Sequence, residues 1–318
     1  MAQVTNAFDS YEAKGNREDL SDFIYDVSPT DTPFMSAIPK TTAQATKHEW
    51  QTDALASASD ANQQLEGDSI SAAAGTATTR LDNQCEIAYK ALAVTGTQEA
   101  VSKAGRKSEL KYQILKRSKE IKRDVEASLL GNKAKNAGNA TTARVTGGIL
   151  SWLKTNQSIG TGGSAPAGTG ADTRTFGTNR TFTEALLKSV LKSCWDNGGD
   201  PDCIMTSGSH KQSLSTFTGN ATRFKGAEDK TLSASIEIYQ SDFGDLEVQP
   251  NRFMFDVDND CNHVLVLQKD MFALANLRAP HLEDLAKTGD AESRVIIHEF
   301  SLESRNEAAS GVVADLTA

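Results

Sequence analysis

The chain has 318 residues, enough for one large or two ordinary domains with a real core. Its mean hydropathy is −0.43 and no apolar run reaches about eighteen residues, which excludes a helical membrane span. A net charge of −9 and a pI near 5.2 argue against a dedicated nucleic-acid binder, normally basic, but leave room for a local basic surface.

The opening "MAQVTNAFDSYEAKG" lacks the charged and apolar regions of a secretory signal. Cys85, Cys194, Cys203 and Cys261 form no C-x-x-C pair, so reduced, buried thiols are expected. Residues 1–45 read as an arm. Pro29, Pro33 and Pro39 prevent a continuous helix there. Residues 9–26 carry Asp9, Glu12, Glu18, Asp19, Asp22 and Asp26 against Lys14 and Arg17. The arm is either a solvated terminus or a segment that docks its aromatics on a neighbour.

Residues 46–96 read as a long exposed hairpin, with strands at "HEWQTDAL" and "CEIAYKALAVTG". The His48-Glu49 pair suggests zinc chemistry, but a zinc peptidase needs a second His four positions on, and Thr52 stands there. The middle of the hairpin is rich in Ala, Ser, Thr and Gly, with only Leu65 and Ile70 as large apolar residues. It cannot bury a core, and a connection of that length belongs to function or to an external contact.

Residues 105–130 are the clearest helix. Leu110, Ile114, Ile121, Val125 and Leu129 make one narrow stripe. From Lys103 to Arg123 there are nine Lys or Arg and two acids, a segment of +7 in an acidic protein. It is either a solvated basic face or a contact for an acidic partner, the arm of another copy or nucleic acid. Residues 157–180 form a Gly-rich loop in which "GTGGSA" nominally fits a dinucleotide fingerprint. No apolar strand leads into it and no helix follows, so the support is weak.

Residues 181–285 read as an α/β unit. Thr181 with Glu184, and Ser209 with Gln212, mark capped helices. "CIM", "SIEIYQ", "LEVQ", "RFMF" and "HVLVL" read as strands. "DVDND" lacks the Gly and Glu of an EF-hand and reads as a turn. "TSGSH" lacks the nucleophile-elbow pattern. In "RVIIHEFSLES", Ile296, His298, Phe300 and Leu302 share one face, so His298 reads as a satisfied sheet residue.

The order is arm, long hairpin, long basic helix, inserted α/β unit and closing strand. Within it stand "DTPFMSAIPK", "KHEWQTDALASAS", "EG" at 66–67, "VTGTQEAVSKAG" and "KRDVEASLLGNK". This resembles the major capsid proteins of tailed bacteriophages, built on the Hong Kong 97 fold, and is similar to the subfamily of Escherichia phage SU10. The resemblance covers nearly the whole chain. It implies an α+β capsid fold with an N-terminal arm (1–45), an extended loop (46–96) and a peripheral domain (97–180 and 286–318) holding a spine helix at 105–130. It also implies an axial domain (181–285).

The resemblance further implies hexamers and pentamers that close an icosahedral shell around double-stranded DNA, assembled in the host cytoplasm and retained in the virion. A portal, a separate scaffolding protein and a decoration protein are the implied partners. No cofactor, metal, membrane or enzymatic activity is expected. Candidate interface residues are Phe23, Phe34, Glu49, Trp50, Glu66 and Arg80, with Trp50 as a packing anchor and Glu49 as a partner for Arg80. The basic helix adds Lys116, Arg117, Lys119 and Arg123. The prototype shell cross-links through a loop Lys, but here no Lys lies between Lys47 and Lys90, so a noncovalent shell is expected. The competing readings are an encapsulin-like compartment shell and an enzyme of unrecognised class built on 181–285.

Overall fold

The computed structural model describes residues 28–69, 74–103, 105–217, 237–254, 261–287 and 289–317. The chain enters through a short helix, α1 (Pro33–Ala37), whose proline sits in the first turn, where a missing N–H costs nothing. Strands β1 (Lys40–Thr42), β2 (Lys47–Thr52), β3 (Thr79–Gln84) and β4 (Glu86–Thr95) follow, then helices α2 (Gly96–Ala100) and α3 (Glu109–Leu130). Next come β5 (Asn156–Ser158), α4 (Glu184–Asp196), β6 (Cys203–Thr206), α5 (Gly208–Ser215), β7 (Ile238–Ser241) and β8 (Gly244–Pro250). The last elements are β9 (Val264–Leu267), β10 (Phe272–Asp284), β11 (Ala291–Ser304) and β12 (Gly311–Val313).

Two larger sheets and a separate hairpin organise these strands. The first sheet has the order β1-β10-β11-β4 and carries the two longest strands, β10 and β11, antiparallel to each other. Its register slips on either side of Arg278, beside Pro280, which has no N–H for the ladder. Helix α3 lies along β4 and β11. Alternation along β11 places Phe300 and Leu302 in the same core as Val125 and Leu129 of the helix. Lys90 of β4 reaches Asp124 of α3 at 2.6 Å.

Helix α3 starts at Glu109 rather than at 105. Gly105 turns the chain at a φ of +74°. Ser108 then accepts from the Lys111 N–H at 3.3 Å, and the Glu99 carboxylate accepts from the Glu109 N–H at 2.8 Å. These acceptors satisfy donors that have no partner inside the helix.

The second sheet has the order β5-β12-β9-β6-β8-β7. Its central strands are buried on both faces, which explains why "CIMT" and "VLVL" are continuous apolar runs. Cys203, Met205, Leu265 and Leu267 point to the core shared with α3 and Phe272. Ile204, Val264 and Val266 point to a second core under α4 and α5, with Leu187, Val190, Leu191 and Leu214. The sheet is therefore a partition between two cores.

Several local expectations change. The hairpin's return strand is β3, which pairs with β2 from Lys47↔Gln84 to Thr52↔Thr79, while residues 86–95 pair with β11 instead. A cut at residue 285 does not follow the sheets: β10 belongs with α3 and β11, and β12 belongs to the second sheet. Thr183 precedes α4 in place of Thr181, without a side-chain cap. Ser207 rather than Ser209 caps α5, accepting from the His210 N–H at 3.3 Å. Residues 251–254 form a turn rather than the strand read in "RFMF". The stretch "DVDND" lies outside the described residues.

Phe34 also requires correction. It is 0% exposed, and its ring meets Phe272 edge-on at 6.2 Å inside the shared core. It is a core residue of its own chain, not an interface aromatic. Phe34→Ala should lower the unfolding free energy by about 3–5 kcal/mol, as cavities of this size do. Urea denaturation checks this, and a loss below about 1 kcal/mol would return Phe34 to the surface.

Candidate assembly interfaces

The hairpin stem is fastened to the body by side chains from both strands. The Trp50 indole donates to the Ser304 carbonyl at 2.8 Å and lies 5.4 Å from the Trp152 ring. His48 Nε2 meets Glu303 at 2.9 Å. Buried Asn83 donates to the Leu302 carbonyl at 2.7 Å and accepts from the Gly147 N–H at 2.8 Å. Trp50 thus anchors the stem to its own chain.

Glu49 contacts Lys47 at 2.7 Å and Arg80 at 3.7 Å. Arg80 is the diagonal cross-strand neighbour that antiparallel pairing with Asp82 provides. The hydrogen bond from Lys47 is the largest influence holding the Glu49 carboxyl below its ordinary range. These groups are solvent-facing, so they tune the stem more than they stabilise it.

Beyond the stem, every described residue from 53 to 69 and from 74 to 78 is exposed, including Leu55 at 100% and Leu65 at 80%. The Asp68 N–H donates to the Leu65 carbonyl at 3.1 Å across Glu66 and Gly67. Gly67 has a φ of +85° with open space around it, so the turn rather than packing selects glycine. Glu66 therefore sits at the apex of a projecting turn.

The basic helix face is narrower than its +7 suggests. Lys103 reaches Glu99 at 3.8 Å, and Arg106 pairs with Glu109. Arg117 holds Glu120 at 2.5 Å, and the Arg123 guanidinium lies 5.5 Å from the centre of the Phe253 ring. Arg117 and Arg123 are therefore engaged within their own chain. Lys107, Lys111, Lys116, Lys119 and Lys122 are exposed. Among them stands Leu115, 66% exposed, which the sequence reading missed; its signal is a leucine off the Leu110/Ile114/Ile121 stripe. Phe23 and the acids of 9–26 lie outside the described residues.

The catalytic motifs dissolve into structure. Ser207 caps α5 and bonds His210 Nδ1 at 2.9 Å, while His210 Nε2 faces the Thr317 carbonyl at 3.2 Å. The Gly-rich loop is folded around its own carboxylate, because Asp315 accepts from the N–H groups of Gly160 at 2.6 Å and Gly177 at 2.7 Å. A Cβ on Gly160 would stand 2.4 Å from the Thr178 carbonyl, so this loop needs glycine for packing, not for a phosphate. Among the described residues no His, Cys, Asp and Glu group could hold a metal ion, and no helix is long and apolar enough to cross a membrane.

The SU10 major capsid protein family model matches residues 3–317. The chain belongs to this family. The capsid protein is also similar to the major capsid protein of Escherichia phage Phieco32, at 28% identity over 98% of this chain and 97% of the relative. Among solved structures, the capsid of a native GTA particle superposes with a TM-score of 0.64 at 12% identity, covering 97% of this chain and 98% of that one. The capsid of cyanophage A-1(L) also gives 0.64 at 12% identity, covering 98% and 99%. Fold and family agree: this is a structural protein of the virion shell with the Hong Kong 97-like α+β fold. The readings as an enzyme and as a cellular compartment shell give way to the family match.

Proposed function

We propose that the capsid protein assembles as hexamers and pentamers into an icosahedral shell that encloses double-stranded DNA, with assembly in the host cytoplasm. The observation that carries this is the hairpin. Its stem is pinned by Trp50 and Asn83, while the segment beyond it exposes Leu55 and Leu65 to water. Holding such a segment ordered costs about 1–2 kcal/mol per residue in backbone entropy, which contacts with other copies would offset.

In this reading the sheet of β1, β10, β11 and β4 with α3 acts as the peripheral domain. The sheet of β5 to β9 and β12, with α4 and α5, acts as the axial domain. The hairpin β2–β3 is the extended loop, and residues before α1 are the arm. A portal, a separate scaffolding protein and a decoration protein complete the proposed partners. Sedimentation of the purified chain, followed by nuclease treatment of particles from the native source, tests the reading. Large particles that protect DNA support it; particles that hold protein cargo without DNA would contradict it.

The shell should be noncovalent. No Lys lies between Lys47 and Lys90, and the four cysteines are buried thiols outside any disulfide. Burial pushes the Cys194 and Cys203 thiols up to about 12, far from the reactive thiolate. Boiled, non-reduced shells should run as single 34.1 kDa chains on a denaturing gel. A ladder of chain multiples would contradict this.

A further inference from the structure

We infer that the cleft between helix α3 and the β1, β10 and β11 part of the first sheet binds a small amphiphile, an apolar chain with an anionic head. The cleft measures about 480 Å³, within the roughly 300–1,000 Å³ that small-molecule sites occupy. It forms within one chain, so it does not depend on assembly. Met35 of α1, Ile121 of α3, and Leu274, Pro280 and Ile296 of the sheet line it with apolar surface. Its shape has a local cause. Where the β10 register slips, Ala279 and Pro280 have no partner in β11, and both stand at the cleft.

The charges at the cleft are of one sign. Lys40 and Lys122 line it, and no Asp or Glu does. Both lysines are exposed, and neither pairs with a carboxylate among the described residues. Asn276 adds a neutral donor. Its Oδ1 accepts from His298 Nε2 at 2.7 Å, and burial lowers the His298 pKa to about 4, so that ring is neutral at pH 7. The Asn276 amide nitrogen donates to no acceptor among the described residues, which leaves it for a ligand.

These groups select the ligand's chemistry. Two ammonium groups and an amide donor suit a carboxylate or sulfate head, through charge-assisted hydrogen bonds. A cationic head would meet two like charges. The apolar walls suit a hydrocarbon body, and each CH₂ taken out of water there strengthens binding by about fourfold.

The test uses the full chain carrying Ser118→Cys, because Ser118 lines the cleft and the native cysteines are buried. A maleimide should label the new thiol well before the native ones. Decanoate at about ten times its Kd, below its micelle concentration, should slow that labelling about tenfold. Octanoate should need about tenfold more ligand for the same effect, and decyltrimethylammonium should give no protection. Lys40→Glu with Lys122→Glu should abolish the protection, with a parental urea midpoint as the folding control. Lys40→Gln with Lys122→Gln removes the charge without reversing it and should weaken decanoate about tenfold.

Labelling that decanoate leaves unchanged would overturn the site. So would equal protection by decyltrimethylammonium, which marks adsorption without charge selection, or unchanged protection in both lysine variants. A Ser118→Cys thiol as slow as the native cysteines before any ligand is added would mean that the chain itself fills the cleft. Protection by phosphatidylglycerol vesicles but not by decanoate would assign the lysines to a membrane surface. Either of these last two results also overturns the site, and none of them bears on the shell reading.

Discussion

Moving the unassembled chain from pH 7 to pH 5 should lower its unfolding free energy by about 3–4 kcal/mol, because two buried histidines stay neutral in the fold. Burial, with Arg174 and His210 beside it, lowers the pKa of His263 to about 3. His263 Nε2 has no hydrogen-bond partner among the described residues. Burial, with Lys40 and His281 nearby, lowers the pKa of His298 to about 4, and His298 Nε2 meets Asn276 Oδ1 at 2.7 Å.

In the unfolded chain both histidines take up protons near pH 6.5. Their contribution to stability is therefore present above that pH and is lost as the pH falls towards their folded values. Glu126 acts in the opposite sense, since burial holds its carboxyl above its ordinary range. Its contribution is present below the ordinary carboxylate pKa and is lost as the pH rises through its folded value, so it offsets part of the loss at the acid end. Urea titrations at the two pH values measure the effect. His298→Asn should remove about half of the pH dependence. Equal stability at pH 7 and pH 5 would contradict the burial of these histidines.

Glu126→Ala should cost about 3–6 kcal/mol, since it strands three donors at once, two of them buried and one partly buried. The Glu126 carboxylate accepts from the N–H groups of Phe34 and Met35, each at 2.7 Å, and from the Asn251 amide at 2.7 Å. One side chain of α3 thus joins the helix α1 at the root of the arm to the loop leaving β8. Glu126→Gln keeps the shape but points an amide donor at one of these donors, so it should cost less, about 2 kcal/mol. Hydrogen exchange should show residues 33–38 opening first in either variant. Unchanged exchange there, with parental stability, would mean that the node does not hold the arm root.

What the sequence revealed follows physical period. The stripe Ile121/Val125/Leu129 and the alternation of Ile296, His298, Phe300 and Leu302 are local patterns, and both elements stand near where those patterns place them. His298 is the satisfied sheet residue the alternation suggested. Pairing across long separations left no such mark. "TRLDNQ" has no apolar alternation, so the return strand of the hairpin was read into the next segment, whose apolar alternation belongs to its pairing with β11.

Trp50 drew attention as a large aromatic on a strand, but its partner is the Ser304 carbonyl, and a backbone acceptor has no sequence signature. Glu126 looked like one more charge on a basic helix, although it sits next to Val125 on the buried side. The glycines of 157–180 fit a dinucleotide fingerprint only nominally, because glycine marks close approach without saying to what. Here the approach is to Asp315 and the neighbouring backbone.

The most direct measurement is cryo-electron microscopy of the purified full-length chain, alone and with a scaffolding protein if it needs one. The account predicts closed shells with fivefold and sixfold clusters, in which the hairpin segment of each copy contacts another copy. Single chains at every concentration, or particles in which the hairpin segment from 53 to 78 touches no other copy, would contradict it.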